Sequence, residues 1–269
     1  MPYTLSHPAA VLPFSRWLGR WRLLSATVIG SMVPDFGLFL PWRPPRADTH
    51  TSLALVTFCL PVGLATYWIF QTLIKTAVLE VLPEGAYARS RPLAAPARLS
   101  DPGQWVRAGC GVLLGAVTHL VWDGFTHEGA RGVRLFPMLD DPIPGFGRHH
   151  LDAVRALQDL GSLVGLIVVV ALAAYALRPG HVPPIPGRPL ASPQRRRWVL
   201  AYLIAAVVFS AAFYARLRLV ETQPHFIMVR AAEIAVGLLR GLAAALLLVS
   251  VALQWRLHAA AYGSSGPER

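Results

Sequence analysis

Five apolar runs, at 53–74, 105–125, 160–177, 199–215 and 234–255, constrain this chain more than any other feature. Each approaches or reaches the roughly 17 to 25 residues that a helix needs to cross a bilayer's hydrocarbon layer. A helix satisfies its own backbone groups where no water is available, so runs of this length are expected to fold as membrane-crossing helices. The composition agrees, with 54% hydrophobic and only 14% charged residues, against about 25% charged in soluble domains. The expected fold is all-α. It is a polytopic transmembrane helical bundle forming a single membrane domain over 1–269, with about five full spans and a broken or re-entrant N-terminal helix. A net charge of +11 would suit nucleic acid, but the arginines lie between the apolar runs rather than along one face. They are read as orientation signals, so membrane lipid is the expected partner and nucleic acid is not.

The segment 1–52 is different in character. Its opening, M-P-Y-T-L-S-H-P, lacks a basic stretch ahead of an apolar core and does not read as a secretory signal, so insertion is expected to use the first true span. The apolar stretch 23–40 is interrupted by Pro34-Asp35, and a carboxylate beside a helix breaker fits a broken helix better than a simple span. A Pro-rich basic connector, 41–48, follows. Farther on, the Pro-rich linker 178–198 ends in Arg195-Arg196-Arg197 and is the strongest cytoplasmic candidate. Alternation then places 75–107 inside and both 41–52 and 128–159 outside. A full span at 23–40 would put His7 inside, as Arg16, Arg20 and Arg22 prefer. A re-entrant segment instead brings it to the extracytoplasmic side, and that arrangement is taken here against the charge rule. Gly111/Gly115, Gly161/Gly165 and Gly237/Gly241 each form G-x-x-x-G, which lets helix backbones approach closely.

The chemistry concentrates at T-H-L-V-W-D-G-F-T-H-E, residues 118–128. His119, Asp123 and His127 recur every fourth residue, so on a helix they share one face and can converge on an ion. Three further polar residues, His7, Asp35 and His50, stand in apolar surroundings near the N-terminus. Ionisable groups within a membrane are costly and face a bundle interior or a cavity. Cys59 and Cys110 each lack a second cysteine nearby, so any metal must be held by His and carboxylate. The plainer alternatives are hydrogen bonds between helices for His119 and Asp123, a turn for His7 and an interfacial position for His127. His149 and His150 read as loop residues, and His181, His225 and His258 as structural or exposed.

The stretches P-Y-T-L-S-H-P-A-A-V-L-P, G-S-M-V-P-D-F, T-H-T and H-L-V-W-D-G-F-T-H together resemble an uncharacterised bacterial membrane family, a domain of unknown function. The resemblance covers essentially the whole chain. More distantly, the order His, Asp, His, then His-x-x-x-Asp is similar to membrane-bound metal-dependent hydrolases and to the zinc-dependent phospholipase C and nuclease folds. Carried over by position, it implies His7, Asp35, His50, His119 and Asp123 as metal ligands, with His127 or His150 standing in for later ones. No His-x-x-x-Glu follows, so one or two ions are implied rather than three. A divalent metal, zinc foremost, and hydrolysis of phosphoesters or lipid headgroups are the corresponding expectations, with Arg131 or Arg134 near a phosphoryl group. The location implied is a bacterial inner or plasma membrane, with the site towards the extracytoplasmic side. The alternative is a non-enzymatic membrane protein whose same residues form a structural polar network or a cation or proton permeation site.

Overall fold

A computed structural model describes residues 4–40, 42, 44–90, 97, 99–141, 143, 152–178, 190–220 and 227–263 of the 269. Among these residues the secondary structure is helical, with no strand. Five helices are long and apolar enough to cross a membrane: Leu55–Val81, Pro102–Thr126, Ala153–Tyr175, Ser192–Ala215 and Ile234–Ala259. The expected polytopic all-α bundle is therefore present. Its outward faces are unusually apolar: on the third span Leu160, Leu163, Val164, Ile167 and Val170 are exposed, and on the fourth Leu203, Ile204, Val207 and Val208. Contiguous apolar surface on this scale is stable against lipid tails and costly against water.

The chain divides into two compact units, Met1–Trp68 with Ala97–Tyr175, and Ile69–Pro96 with Ala176–Arg269. The first unit opens with a 3-10 turn, Thr4–Ala10, and a short helix α1, Ser15–Arg20. Helix α1 ends in a left-handed residue, Arg22, at φ 58°. There the Leu23 N–H donates to the Leu18 carbonyl and the Arg22 N–H to the Gly19 carbonyl, closing the carbonyls left open at a helix end. A side chain in that conformation carries strain that glycine lacks, so Arg22→Gly is expected to raise stability by about 1 kcal/mol, read as a higher melting temperature in detergent.

Helix α2, Leu24–Gly30, has only seven residues, about 10 Å of rise and a third of the hydrocarbon thickness. It stops at Ser31, and the chain continues as a 3-10 segment, Val33–Phe39, with Pro34 in its first turn. The N-terminal helix is thus broken where Pro34-Asp35 predicts. A four-residue helix α3, Arg46–Thr49, precedes the first long helix, α4, Leu55–Val81.

The second long helix of this unit, α5, Pro102–Thr126, begins on Asp101, whose carboxylate accepts from the Gly103 N–H at 2.9 Å, with Pro102 in the first turn. An acidic cap followed by proline is a favoured helix start. One face of α5 is buried along its length, through Ala108, Gly111, Val112, Gly115, Ala116, His119 and Asp123. Its small residues admit α2 at unusually short range. A Cβ on Gly115 would stand 2.1 Å from the Thr27 carbonyl oxygen and 2.5 Å from the Ser31 nitrogen, and one on Gly30 would stand 2.2 Å from the Val112 carbonyl oxygen. Gly63 of α4 meets Val112 in the same way, while Gln104 Nε2 donates to the Tyr67 hydroxyl at 2.8 Å. Gly161 and Gly165 of the third span receive Trp122 and Ser6.

In the second unit the fourth and fifth spans lie against each other, with Gly241 so close to Ser210 that a Cβ would fall 2.2 Å from its hydroxyl oxygen. Ala77, Leu190 and Leu253 form a buried apolar cluster. Arg195 is buried and donates to both carboxylate oxygens of Glu84 at 2.7 Å, to Ser192 Oγ at 2.7 Å and to the Leu190 carbonyl at 3.1 Å. Glu84, at the start of a short helix Glu84–Ser90, and Arg195, in the first turn of the fourth span, are thus joined within this unit.

Candidate metal centre

The close seat of α2 on α5 sets up everything that follows. Because Gly115 leaves room for the backbone of Thr27 and Ser31, the Ser31 carbonyl reaches His119 Nδ1 at 2.8 Å. A carbonyl can only accept, so Nδ1 carries the proton and Nε2 turns its lone pair to the other side. That is how protein ligands of metals are usually oriented, by a second hydrogen bond on the far ring nitrogen. One turn on, Asp123 brings Oδ2 to 3.2 Å from His119 Nε2.

The broken N-terminal segment supplies the other groups. His7, on the first 3-10 turn, stacks its ring on that of His119 with centroids 3.6 Å apart, and its Nε2 lies 3.8 Å from Asp123 Oδ1. Asp35, buried on the 3-10 segment after α2, accepts from the Thr4 hydroxyl at 2.8 Å through Oδ2. Its Oδ1 faces His50 Nε2 at 3.3 Å and His119 Nε2 at 3.7 Å. His50, at the end of α3, has its Nδ1 2.8 Å from Thr49 Oγ1 and its Nε2 3.5 Å from Asp123 Oδ2.

Two sets of ligand atoms can thus hold a metal ion, His7 with His119 and Asp123, and Asp35 with His50 and His119, each with its atoms within 4.8 Å of one another. They share His119, so five side chains from four segments meet in one knot rather than along a path. His127 stands at its edge. The helix has ended at Thr126, and His127 Nδ1 lies 3.3 Å from the Asp123 carbonyl and 3.8 Å from Asp123 Oδ1, outside both sets. His149, His150, His181 and His225 fall outside the described residues, and His258 is exposed on the last helix. Cys59 and Cys110 are free thiols.

Within this knot, His7 Nε2, His119 Nε2 and Asp123 Oδ1 are buried and make no hydrogen bond. Burial, followed by the neighbouring His119, lowers the His7 pKa to about 4, so His7 is neutral at pH 7. For Asp35 burial works the other way, but the neighbouring His50 and His119 rings and the Thr4 hydroxyl outweigh it and hold the carboxyl below its ordinary value. Burial is also the main cause that lowers His127. A neutral imidazole beside an ionised carboxylate is the protonation state in which these groups bind metal.

The residue that the sequence did not single out is Arg46. It lies in the connector read as merely basic, yet its guanidinium forms an ion pair with Asp123, donates to His50 Nε2 at 2.9 Å and stands 3.9 Å from Asp35 Oδ1. A guanidinium only donates, so His50 Nε2 is the acceptor and Nδ1 donates to Thr49. The spacing of Arg46 to His50, four residues, was the available signal. Arg134, by contrast, turns its guanidinium to the Gly129 carbonyl. Thr49→Val removes the hydroxyl behind His50 while keeping its shape, and metal affinity is expected to fall by about tenfold or more, as for other outer partners of metal ligands. Titration of the variant with zinc measures it.

A family described as a domain of unknown function, DUF4184, matches residues 1–251. No curated protein and no solved structure matches the chain.

Proposed function

The chain belongs to the DUF4184 family, and we propose that it is a membrane-embedded hydrolase dependent on a divalent metal, with zinc as the ion and phosphoesters or lipid headgroups as substrates. The observation that carries this reading is the trio of buried, unpartnered ligand atoms, His7 Nε2, His119 Nε2 and Asp123 Oδ1. Each such atom costs free energy when left without a partner, and their gathering at one point is explained by an ion that takes all of them. The donors are imidazole and carboxylate, a set that suits zinc. His7, Asp35, His50, His119 and Asp123 would hold it, with His127 beside them. When bound, such an ion supplies Lewis-acid polarisation of an ester and activates water at neutral pH.

The chain's own residues then have separable tasks. Ser31 and Thr49 fix the tautomers of His119 and His50, Thr4 holds Asp35, and the stacked His7 ring limits how far His119 can turn. The likeness of the ligand order to metal-dependent hydrolases adds support. With the arginine-rich linker 178–198 on the cytoplasmic side, alternation of the spans along the sequence puts His50 and His127 on the extracytoplasmic one. We place the protein in a bacterial inner or plasma membrane in contact with lipid.

One observation favours a second reading. The Arg46 guanidinium already neutralises Asp123 and approaches Asp35, as expected of a purely structural ion-pair network. The two readings differ under chelation. The hydrolase reading predicts turnover of p-nitrophenyl phosphate or its bis ester that disappears when the purified protein is stripped with a chelator and returns on adding zinc. A structural network predicts no turnover with or without the ion.

A further inference from the structure

We infer that Arg46 is an exchangeable cation: it fills the centre when no metal is present, yields to a divalent ion, and once displaced binds the oxyanion of a phosphoryl substrate. This rests on the metal centre proposed above and names the substrate group that the centre takes. The guanidinium engages atoms that a metal needs. It donates to His50 Nε2 at 2.9 Å and pairs with Asp123 through Oδ2, the oxygen 3.2 Å from His119 Nε2. An ion bound to His50 Nε2 requires the lone pair that Arg46 now uses, and two cations cannot share two carboxylates at this range without strong repulsion.

Arg46 is also built to leave. Its side chain is 33% exposed, while the side chains of Asp123, Asp35 and His50 are at most 10% exposed. It stands on α3, four residues long, outside the membrane-crossing helices. After displacement its stem keeps the guanidinium beside the centre, now without a carboxylate. A planar fork of donors next to a metal is suited to two oxygens of a phosphoryl group. The phosphate of a lipid and that of a soluble ester present the same chemistry, so they are separated by experiment.

The test uses the full chain in lipid nanodiscs, as wild type, Arg46→Gln, Arg46→Lys and Asp123→Asn. Zinc affinity is measured first. Arg46→Gln should bind zinc about tenfold more tightly than wild type, since the competing charge is gone, and Arg46→Lys should fall near wild type. A structural arginine gives the opposite result: Arg46→Gln binding zinc more weakly overturns the exchange. Zinc binding in Arg46→Gln alone, with none in wild type, also overturns the exchange, since Arg46 then does not yield to the ion. If neither wild type nor Arg46→Gln binds zinc, the metal centre itself fails, which is a different result. The zinc-loaded proteins are then titrated with inorganic phosphate in phosphatidylcholine discs and, separately, placed in discs containing phosphatidic acid. Binding of either that weakens about tenfold in zinc-loaded Arg46→Gln supports the oxyanion site, and whichever ligand binds identifies the source. Equal binding by wild type and Arg46→Gln, or binding of neither ligand, overturns it.

Discussion

Asp123→Asn is expected to fold, insert and lose its metal, with zinc affinity falling by about 100-fold or more, beyond the loss seen when only an outer partner of a ligand is removed. Asp123 is the centre's most connected group. Oδ1 faces His7 and His127, and Oδ2 faces His119, His50 and Arg46. Asparagine preserves the volume and one oxygen but removes the charge that holds a cation. Asp101→Asn provides the control, for Asp101 starts the same helix and pairs with Arg107 at 2.8 Å, with 43% of its side chain exposed. It should leave metal content unchanged. Equal zinc binding by wild type and Asp123→Asn would exclude Asp123 as a ligand.

The second large effect comes from a residue that touches no ligand. Gly115→Ala forces a methyl against the Thr27 carbonyl and the Ser31 nitrogen, at 2.1 and 2.5 Å. Both obstacles are backbone, so α2 must move away from α5 as a body. The cost is expected near the top of the range for overpacking, about 3 kcal/mol or more. The same movement withdraws the Ser31 carbonyl from His119 Nδ1, so metal affinity should fall with stability. Gly109→Ala adds an identical methyl on the same helix, where its nearest neighbour is Leu60 Cδ1 at 3.5 Å, and should change neither property appreciably. Thermal melting in detergent and zinc titration of the two variants separate these outcomes.

The parts of this architecture that were legible in sequence are those set by local periodicity. Apolar runs of bilayer length announced five helices, and a spacing of four put His119 and Asp123 one turn apart on whichever face α5 buried. Pro34 beside Asp35 announced the break. The ends of the helices were harder to read. Helix α4 runs past 74 to Val81 because Lys75 lies half-buried along the helix and donates to Gln71 one turn back at 3.1 Å, so a lysine that looks like a terminus is an interior residue. The third helix starts at Ala153 although Arg155 and Asp159 interrupt the apolar pattern, and Val154 is buried there. Arg46 was illegible for another reason. Its partner Asp123 is 77 residues away, and no local pattern distinguishes an arginine that reaches a distant carboxylate from one that marks membrane orientation. The glycines were visible as G-x-x-x-G, but which backbone they admit depends on α2, whose seven residues carry no comparable signature.

Metal content of the wild-type full chain, purified in detergent, dialysed mildly and assayed by elemental analysis, tests the central claim most directly. About one zinc per chain, removed by chelation and regained on adding the ion, is the result this account predicts. Protein with no metal above background, before and after incubation with zinc, while His7, Asp35, His50, His119 and Asp123 remain folded around Arg46, would contradict it.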